Sequence, residues 1–156
     1  MVKGKPDFQP MYDLEQKIDT LNSKLDELLL RLPNLSSRKV SGVKSISAGT
    51  EVNLVTVEGT GRMVFLNWWT DYYRMRIYIY CDGNVVFYDK PESLQNQGFD
   101  NSPFGIRVLK YDTANNDYRI IFMLPFEFKS KLEINAGNPD TVAHNSDAIC
   151  IVSLVT

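Results

Sequence analysis

Chemistry on a protein needs a nucleophile, a base, a ligand set or a stacking surface, and this 156-residue chain is sparing with the first three. Its single histidine, His144, sits in the stretch NPDTVAHNSD. A lone loop histidine is expected to be a solvated side chain, not a base or ligand, because both roles need a second group placed against it. Cys81 and Cys150 lie far apart in strand-like segments with apolar neighbours, which marks them as small buried thiols, not a disulfide or a nucleophile. Asp71, Asp82 and Glu92 are the carboxylates that could pair for glycoside hydrolysis, but that chemistry depends on a set separation which sequence does not give. Asp112, Asn115, Asn116 and Asp117 could offer oxygen ligands to Ca²⁺. The same residues are also those favoured in a tight hairpin turn, and the turn is the expectation adopted. There is no Cys/His cluster at metal spacing, no Gly-rich phosphate cradle and no G-x-S-x-G. The expectation is a protein that is not an enzyme, with no catalytic residue, no metal and no cofactor.

The stacking surface is where the chain is rich. Trp68, Trp69, Tyr72 and Tyr73 crowd six positions, and Tyr78, Tyr80, Phe87 and Tyr88 follow. Strand alternation lets only one of Trp68 and Trp69 face a core. Trp69 and Tyr72 are therefore candidates for stacking on a ligand. From Tyr73 to Cys81 the residues alternate cleanly: Met75, Ile77, Ile79 and Cys81 on one face, Arg74, Arg76, Tyr78 and Tyr80 on the other. Tyrosine and arginine together on an outward strand face form either a subunit contact or a ligand face.

The elements that must hold these residues are strands. Val43–Ser47, Val52–Val57, Arg62–Trp69, Tyr73–Cys81, Val85–Tyr88, Ile106–Tyr111, Tyr118–Pro125, Phe126–Asn135 and Ala148–Val155 all carry strand signals. Asp82-Gly83 is a short hairpin connection, and Asp112–Asp117 makes another. Residues 89–104 read as a long polar loop, and residues 36–47 as a linker with the first strand entry. The fold class expected for residues 48–156 is an antiparallel β-sandwich of the jelly-roll kind with eight or nine strands.

Ahead of this domain the pattern is different. Met11, Leu14, Ile18, Leu21, Leu25, Leu28, Leu32 and Leu35 follow one another at alternating steps of 3 and 4. That spacing averages about 3.5 residues, the repeat that keeps one seam facing a partner helix. Residues 11–35 are read as an N-terminal coiled-coil helix for oligomerisation, ended by Pro33, with residues 1–10 as a flexible arm. A mixed Met/Ile/Leu seam does not choose between dimer and trimer.

Composition narrows the partners. A net charge of −2 with 44% hydrophobic and 23% charged residues is that of an ordinary globular protein. It gives no basic patch for nucleic acid or an anionic membrane, and no apolar run is long enough for membrane insertion as a spanning helix. The opening MVKGKPDFQP lacks the apolar stretch of a signal peptide.

A coiled-coil stem followed by one small β-sandwich resembles phage and prophage virion structural proteins: head fibres, capsid decoration proteins and tail-tip receptor-binding proteins. The segments that carry the resemblance are VEGTGRMVFLNW (57–68), MRIYIYCDGNVV (75–86), FEFKSKLEINAGN (126–138) and CIVSLV (150–155). The resemblance implies a homo-oligomer, a trimer, located in the virion. The arm would attach to capsid or tail proteins and the domain would project as a head, with a cell-surface glycan as its candidate ligand. Two other readings stand beside it. One is a carbohydrate-binding, lectin-like module or a depolymerase; the other is a cellular trimer of the TNF/C1q kind.

Overall fold

The computed structural model describes residues 35–102 and 105–155. The expected coiled-coil residues 11–34, and the arm before them, lie outside the described residues; Leu35, counted in that helix, is instead the first residue of a strand.

Ten strands, one short α-helix and a single 3-10 turn (Phe99–Asn101) make up the described chain: β1 (Leu35–Ile46), β2 (Glu51–Glu58), β3 (Gly61–Thr70), β4 (Arg76–Cys81), β5 (Asn84–Asp89), α1 (Pro91–Asn96), β6 (Ile106–Asp112), β7 (Asp117–Phe122), β8 (Phe126–Phe128), β9 (Lys131–Gly137) and β10 (His144–Val155). They form two antiparallel sheets. The first runs β1-β10-β3-β7-β6, with β8 paired to the start of β3; the second runs β2-β9-β4-β5. The architecture is mainly β, a β-sandwich, as the period-two signals predict.

Alternation places the core between the sheets. On β3, Met63, Leu66, Trp68 and Thr70 are buried, and on β4, Ile77, Ile79 and Cys81. Met75, Ile134, Ala136, Ala148, Cys150 and Val152 join the same cluster. The two sheets meet through contacts such as Phe87 on β5 against Phe122 on β7, edge to face at 5.1 Å. Trp68 is the indole that turns inward, and burying its N–H requires a partner. Nε1 donates to Ser146 Oγ at 2.8 Å, and that hydroxyl donates on to the Trp69 carbonyl at 3.0 Å. Both cysteines are free and buried, and burial pushes the Cys150 thiol up to about 11.

The hairpin expected at Asp82-Gly83 is a two-residue connection, with Cys81 opposite Asn84. Asp82 at φ 54° and Gly83 at φ 81° both take the left-handed conformation of a type I′ turn, whose twist matches that of the strands it joins.

Three expectations need correction. Residues 36–47, read as a linker with the first strand beginning at Val43, are strand from the start: β1 pairs with β10 from Leu35↔Val155 to Ile46↔His144. Of residues 36–46 only Ile46 is buried, so backbone hydrogen bonds, not side-chain alternation, make this strand. Residues 89–104 are not a plain loop. Pro91 opens α1 at a position where a missing N–H costs nothing, and Leu94 drops into the core. The strand count is ten and not eight or nine, because a break at Lys129-Ser130 divides the expected Phe126–Asn135 strand into β8 and β9.

Crossing from the first sheet to the second brings β1 close to β2. A Cβ placed on Gly42 would lie 1.8 Å from the Leu54 carbonyl oxygen, so only glycine fits there.

Candidate functional site

The residues singled out for chemistry fall into separate local structures. Asp71, Asp82 and Glu92 form no common site. Asp71 accepts hydrogen bonds from Asn145 N at 2.9 Å and Asn145 Nδ2 at 3.0 Å. Glu92 pairs with Lys90 at 2.7 Å and with Arg74 at 3.5 Å, and these cations hold its carboxyl below the usual range. Asp82 works as a clamp between the β4–β5 hairpin and the β8–β9 junction. Its carboxylate accepts from the backbone N–H groups of Lys129 (2.9 Å), Ser130 (2.7 Å) and Lys131 (3.0 Å), and from Ser130 Oγ at 2.8 Å. Those donors hold the Asp82 carboxyl far below the ordinary carboxylate range.

His144 is not a solvated loop side chain. It is the half-buried first residue of β10, with Nδ1 3.2 Å from Asp71 Oδ1 and Nε2 2.8 Å from Asp140 Oδ2. Its ring lies parallel to that of Tyr72, with centroids 4.2 Å apart. Asn138 fixes the adjoining loop: its buried amide donates to the carbonyls of Ile46 and Val142 and accepts from Asp140 N. Asp112 caps the 112–117 turn, accepting from Ala114 N, Asn115 N and Asn115 Nδ2, while Asn116 supplies a positive φ. Lys110 Nζ lies 2.6 Å from Asp117 and 3.6 Å from Asp112, between the two carboxylates a cation would need. Among the described residues, no group of three His, Cys, Asp or Glu is placed to hold a metal ion.

The aromatic candidates divide by sheet. Trp69 faces outward from the first sheet, and its Nε1 donates to Asp117 Oδ1 at 2.8 Å. Tyr72 packs against the core with one ring face on His144, so the two rings proposed for stacking do not make one platform. Arg74 precedes β4 and turns to Tyr73, 5.1 Å from its ring centre, and to Glu92. Arg76, Tyr78 and Tyr80 do share the outer face of β4. There Tyr78 is near-parallel to Tyr88 at 5.3 Å and to Tyr80 at 6.2 Å, a ladder of rings across β4 and β5. Tyr80 donates to Glu51 Oε1 at 3.1 Å, and Asn135 Nδ2 reaches the same oxygen at 2.7 Å. Asn53 Nδ2 donates in turn to Asn135 Oδ1 at 2.9 Å. Beside the ladder a shallow concavity of about 220 Å³ is bordered by Thr50, Glu51, Arg76, Tyr78 and Asn138.

The outer face of the first sheet has a concavity that sequence reasoning missed. It holds about 340 Å³ and is lined by Asn67, Trp69, Arg119, Asp147 and Ile149. Register aligns them in rows: Asp147, Trp69 and Arg119 across β10-β3-β7, then Ile149, Asn67 and Ile121. Asn67 Oδ1 is buried without a hydrogen-bond partner among the described residues. Burial also pushes the Asp147 carboxyl up, against the pull of Arg119. Alternation along β3 would have given the outward residues; nothing in the sequence marks which strands lie beside it.

An antiparallel β-sandwich with two differently furnished outer faces is the class these observations define. No protein-family model matches the chain, and no curated protein matches it in sequence.

Proposed function

We propose that this protein is a non-enzymatic virion structural protein, a trimeric fibre or decoration subunit that projects its sandwich as a head for attachment. The observation that supports this reading most is the strand order. One sheet carries β1-β10-β3-β7 and the other β2-β9-β4-β5. That is the wrapping of a jelly roll, with β6 as an added edge and β8 as a short side ladder. The heptads of residues 11–35 precede it, which supplies a device for joining copies. Three weak head sites on one stem would give avidity without any one of them being tight.

The test is the mass of the full chain by sedimentation or light scattering at micromolar concentration, together with its presence in purified particles. A trimer mass is expected, and a monomer overturns the reading. Replacing Leu21 and Leu25 with Asn should break the assembly, since each buried unpaired amide costs about 1–3 kcal/mol. The second reading, a carbohydrate-binding module, is favoured by the tyrosine ladder beside Glu51, Asn135 and Arg76, where aromatic and hydrogen-bonding groups meet. Binding of the full chain to a glycan array, lost on Tyr88→Ala, would carry that reading; an array with no positive spot would dismiss it.

A further inference from the structure

We propose that His144 is a proton-dependent latch between two of the connections that cross from one sheet to the other, closed by the imidazolium and released when the ring becomes neutral. Residues 71–75 carry the chain from β3 in the first sheet to β4 in the second, and residues 138–143 carry it back from β9 to β10. Asp71 belongs to the outgoing connection and Asp140 to the returning one. His144 lies between them, with one ring nitrogen on each.

The proton count of that arrangement is what makes it a latch. A neutral imidazole has one N–H and one lone pair; only the imidazolium carries an N–H on both nitrogens. Nδ1 and Nε2 each meet a carboxylate oxygen, at 3.2 and 2.8 Å, and a carboxylate accepts without donating. Loss of the ring proton therefore sets a lone pair against a carboxylate at one end or the other. Tyr72 adds to the preference for the charged ring, lying parallel to it at 4.2 Å, where an aromatic face attracts a cation. The ionisable groups facing His144 are thus Asp71 and Tyr72 from the outgoing connection and Asp140 from the returning one. On β1, Ile46 is opposite His144, and the next charge along that strand is Lys44, opposite Ser146. Tyr73, Arg74 and Glu92 lie on the far side of Tyr72.

The two carboxylates do not depend on the ring equally. Asp71 keeps Asn145 N and Nδ2 as donors whatever the ring does. It cannot withdraw from a bare Nδ1, so the ring must turn, and turning it carries Nε2 off Asp140. Asp140 is otherwise held only by its neighbour Thr141, and residues 141–143 are exposed. The returning connection is the part that moves, pivoting on Asn138, whose amide is tied to the Ile46 and Val142 carbonyls. Pro139 in this connection borders the concavity beside Tyr78, so one wall of that concavity answers to the proton on His144.

The experiment titrates the full chain by nitrogen-15 NMR from about pH 5 to about pH 9, a range that brackets an ordinary histidine. His144 is the only histidine, so its ring signals identify themselves. Both ring nitrogens should be protonated at the acid end. As the pH rises one proton is lost, and the amides of Thr141 and Asn145 shift with the same midpoint, while the amide of Ser130, held by Asp82, does not. Exchange of the Thr141 amide, corrected for its intrinsic pH dependence, should quicken by about ten-fold across that midpoint, the effect of losing one hydrogen bond to a charged group. His144→Gln keeps a donor but has no titrating proton, and should erase the transition. A ring that titrates while Thr141 and Asn145 do not follow overturns the proposal, because the proton then controls no connection. So does a ring with one bare nitrogen at the acid end, or a transition that survives in His144→Gln. Should that variant not fold, agreement or disagreement of the ring and amide midpoints in the unmodified chain decides the matter.

Discussion

The two sheets of the sandwich bury the same kind of residue inward and present different chemistry outward. On the β2-β9-β4-β5 sheet, the outward tyrosines lean on one another, and the Tyr80 hydroxyl begins a run of hydrogen-bonded polar groups. Tyr80 meets Glu51, Glu51 meets Asn135, and Asn135 meets Asn53. Such a face supports much of what it exposes, because cross-strand aromatic pairs and hydrogen bonds hold its side chains. On the other sheet, Phe65, Ile121 and Ile149 are only half-buried, Ile151 is exposed, and Asn67 Oδ1 has no donor among the described residues. A tyrosine-rich strand attracts attention in a sequence; the face with unmet requirements is the one whose outward residues are ordinary isoleucines.

That contrast can be broken most directly at its foundation, the register of β4. Ile77 is fully buried behind the tyrosine ladder. Ile77→Ala should cost about 2–5 kcal/mol in denaturant unfolding. A negligible loss would mean that the faces of β4 are exchanged, since a one-residue slip inverts them.

The ladder's support comes next. Asp82 ties the β4–β5 hairpin to residues 129–131. Asp82→Ala should lower the melting temperature more than Glu127→Ala, an exposed acid on β8. The sign in pH follows from the direction of the shift. The folded Asp82 carboxyl titrates below its unfolded value near 4, so its contribution is present above about pH 4 and is lost as the pH falls through the lower, folded value. Asp112, Asp117 and Asp140 are shifted the same way, the last chiefly by His144, so unfolding monitored by circular dichroism should ease below about pH 4. The Asp82→Ala variant should show a shallower acid slope.

The smallest effect sharpens the comparison within the tyrosine face. Tyr80→Phe keeps the ring and removes the hydroxyl that Glu51 accepts from. A loss of about 0.5–1.5 kcal/mol in thermal unfolding is expected, the ordinary net value of one hydrogen bond. A gain in stability would mean that Glu51 is better paired without the tyrosine, and the face would then be less self-sufficient than described.

Some of this was legible in the residues. The alternation of Met75, Ile77, Ile79 and Cys81 against Arg76, Tyr78 and Tyr80 places both faces of β4, and Asp82-Gly83 announces its turn through the need for two positive φ angles. Trp68 and Trp69 divide inward and outward as adjacent strand residues must. What could not be read has physical reasons. β1 is held by a ladder to a strand more than a hundred residues away, and its side chains are polar because they are exposed. α1 is six residues long, too short for a periodicity to appear. The clamp at Asp82 depends on N–H groups 47 to 49 residues on, and the concavity at Asn67 on strands that are neighbours only in space. Local chemistry writes local pattern; pairing between distant strands leaves none.

The pairing of Leu35 with Val155 has a consequence for the order in which the chain may be read. Directly opposed residues of antiparallel strands have Cα atoms about 4.5–5.5 Å apart, so a few glycines could splice the end of β10 to the beginning of β1. The sandwich is then a closed loop that could be reopened elsewhere. An exposed turn such as 113–116, whose side chains point to solvent, is the place for new termini. The Asp82-Gly83 turn is not, because cutting there would free the carboxylate that binds one edge of the molecule to another. A circularly permuted sandwich opened at 113–116 would carry its fusion points on the opposite arm of the topology while keeping every strand in its present company.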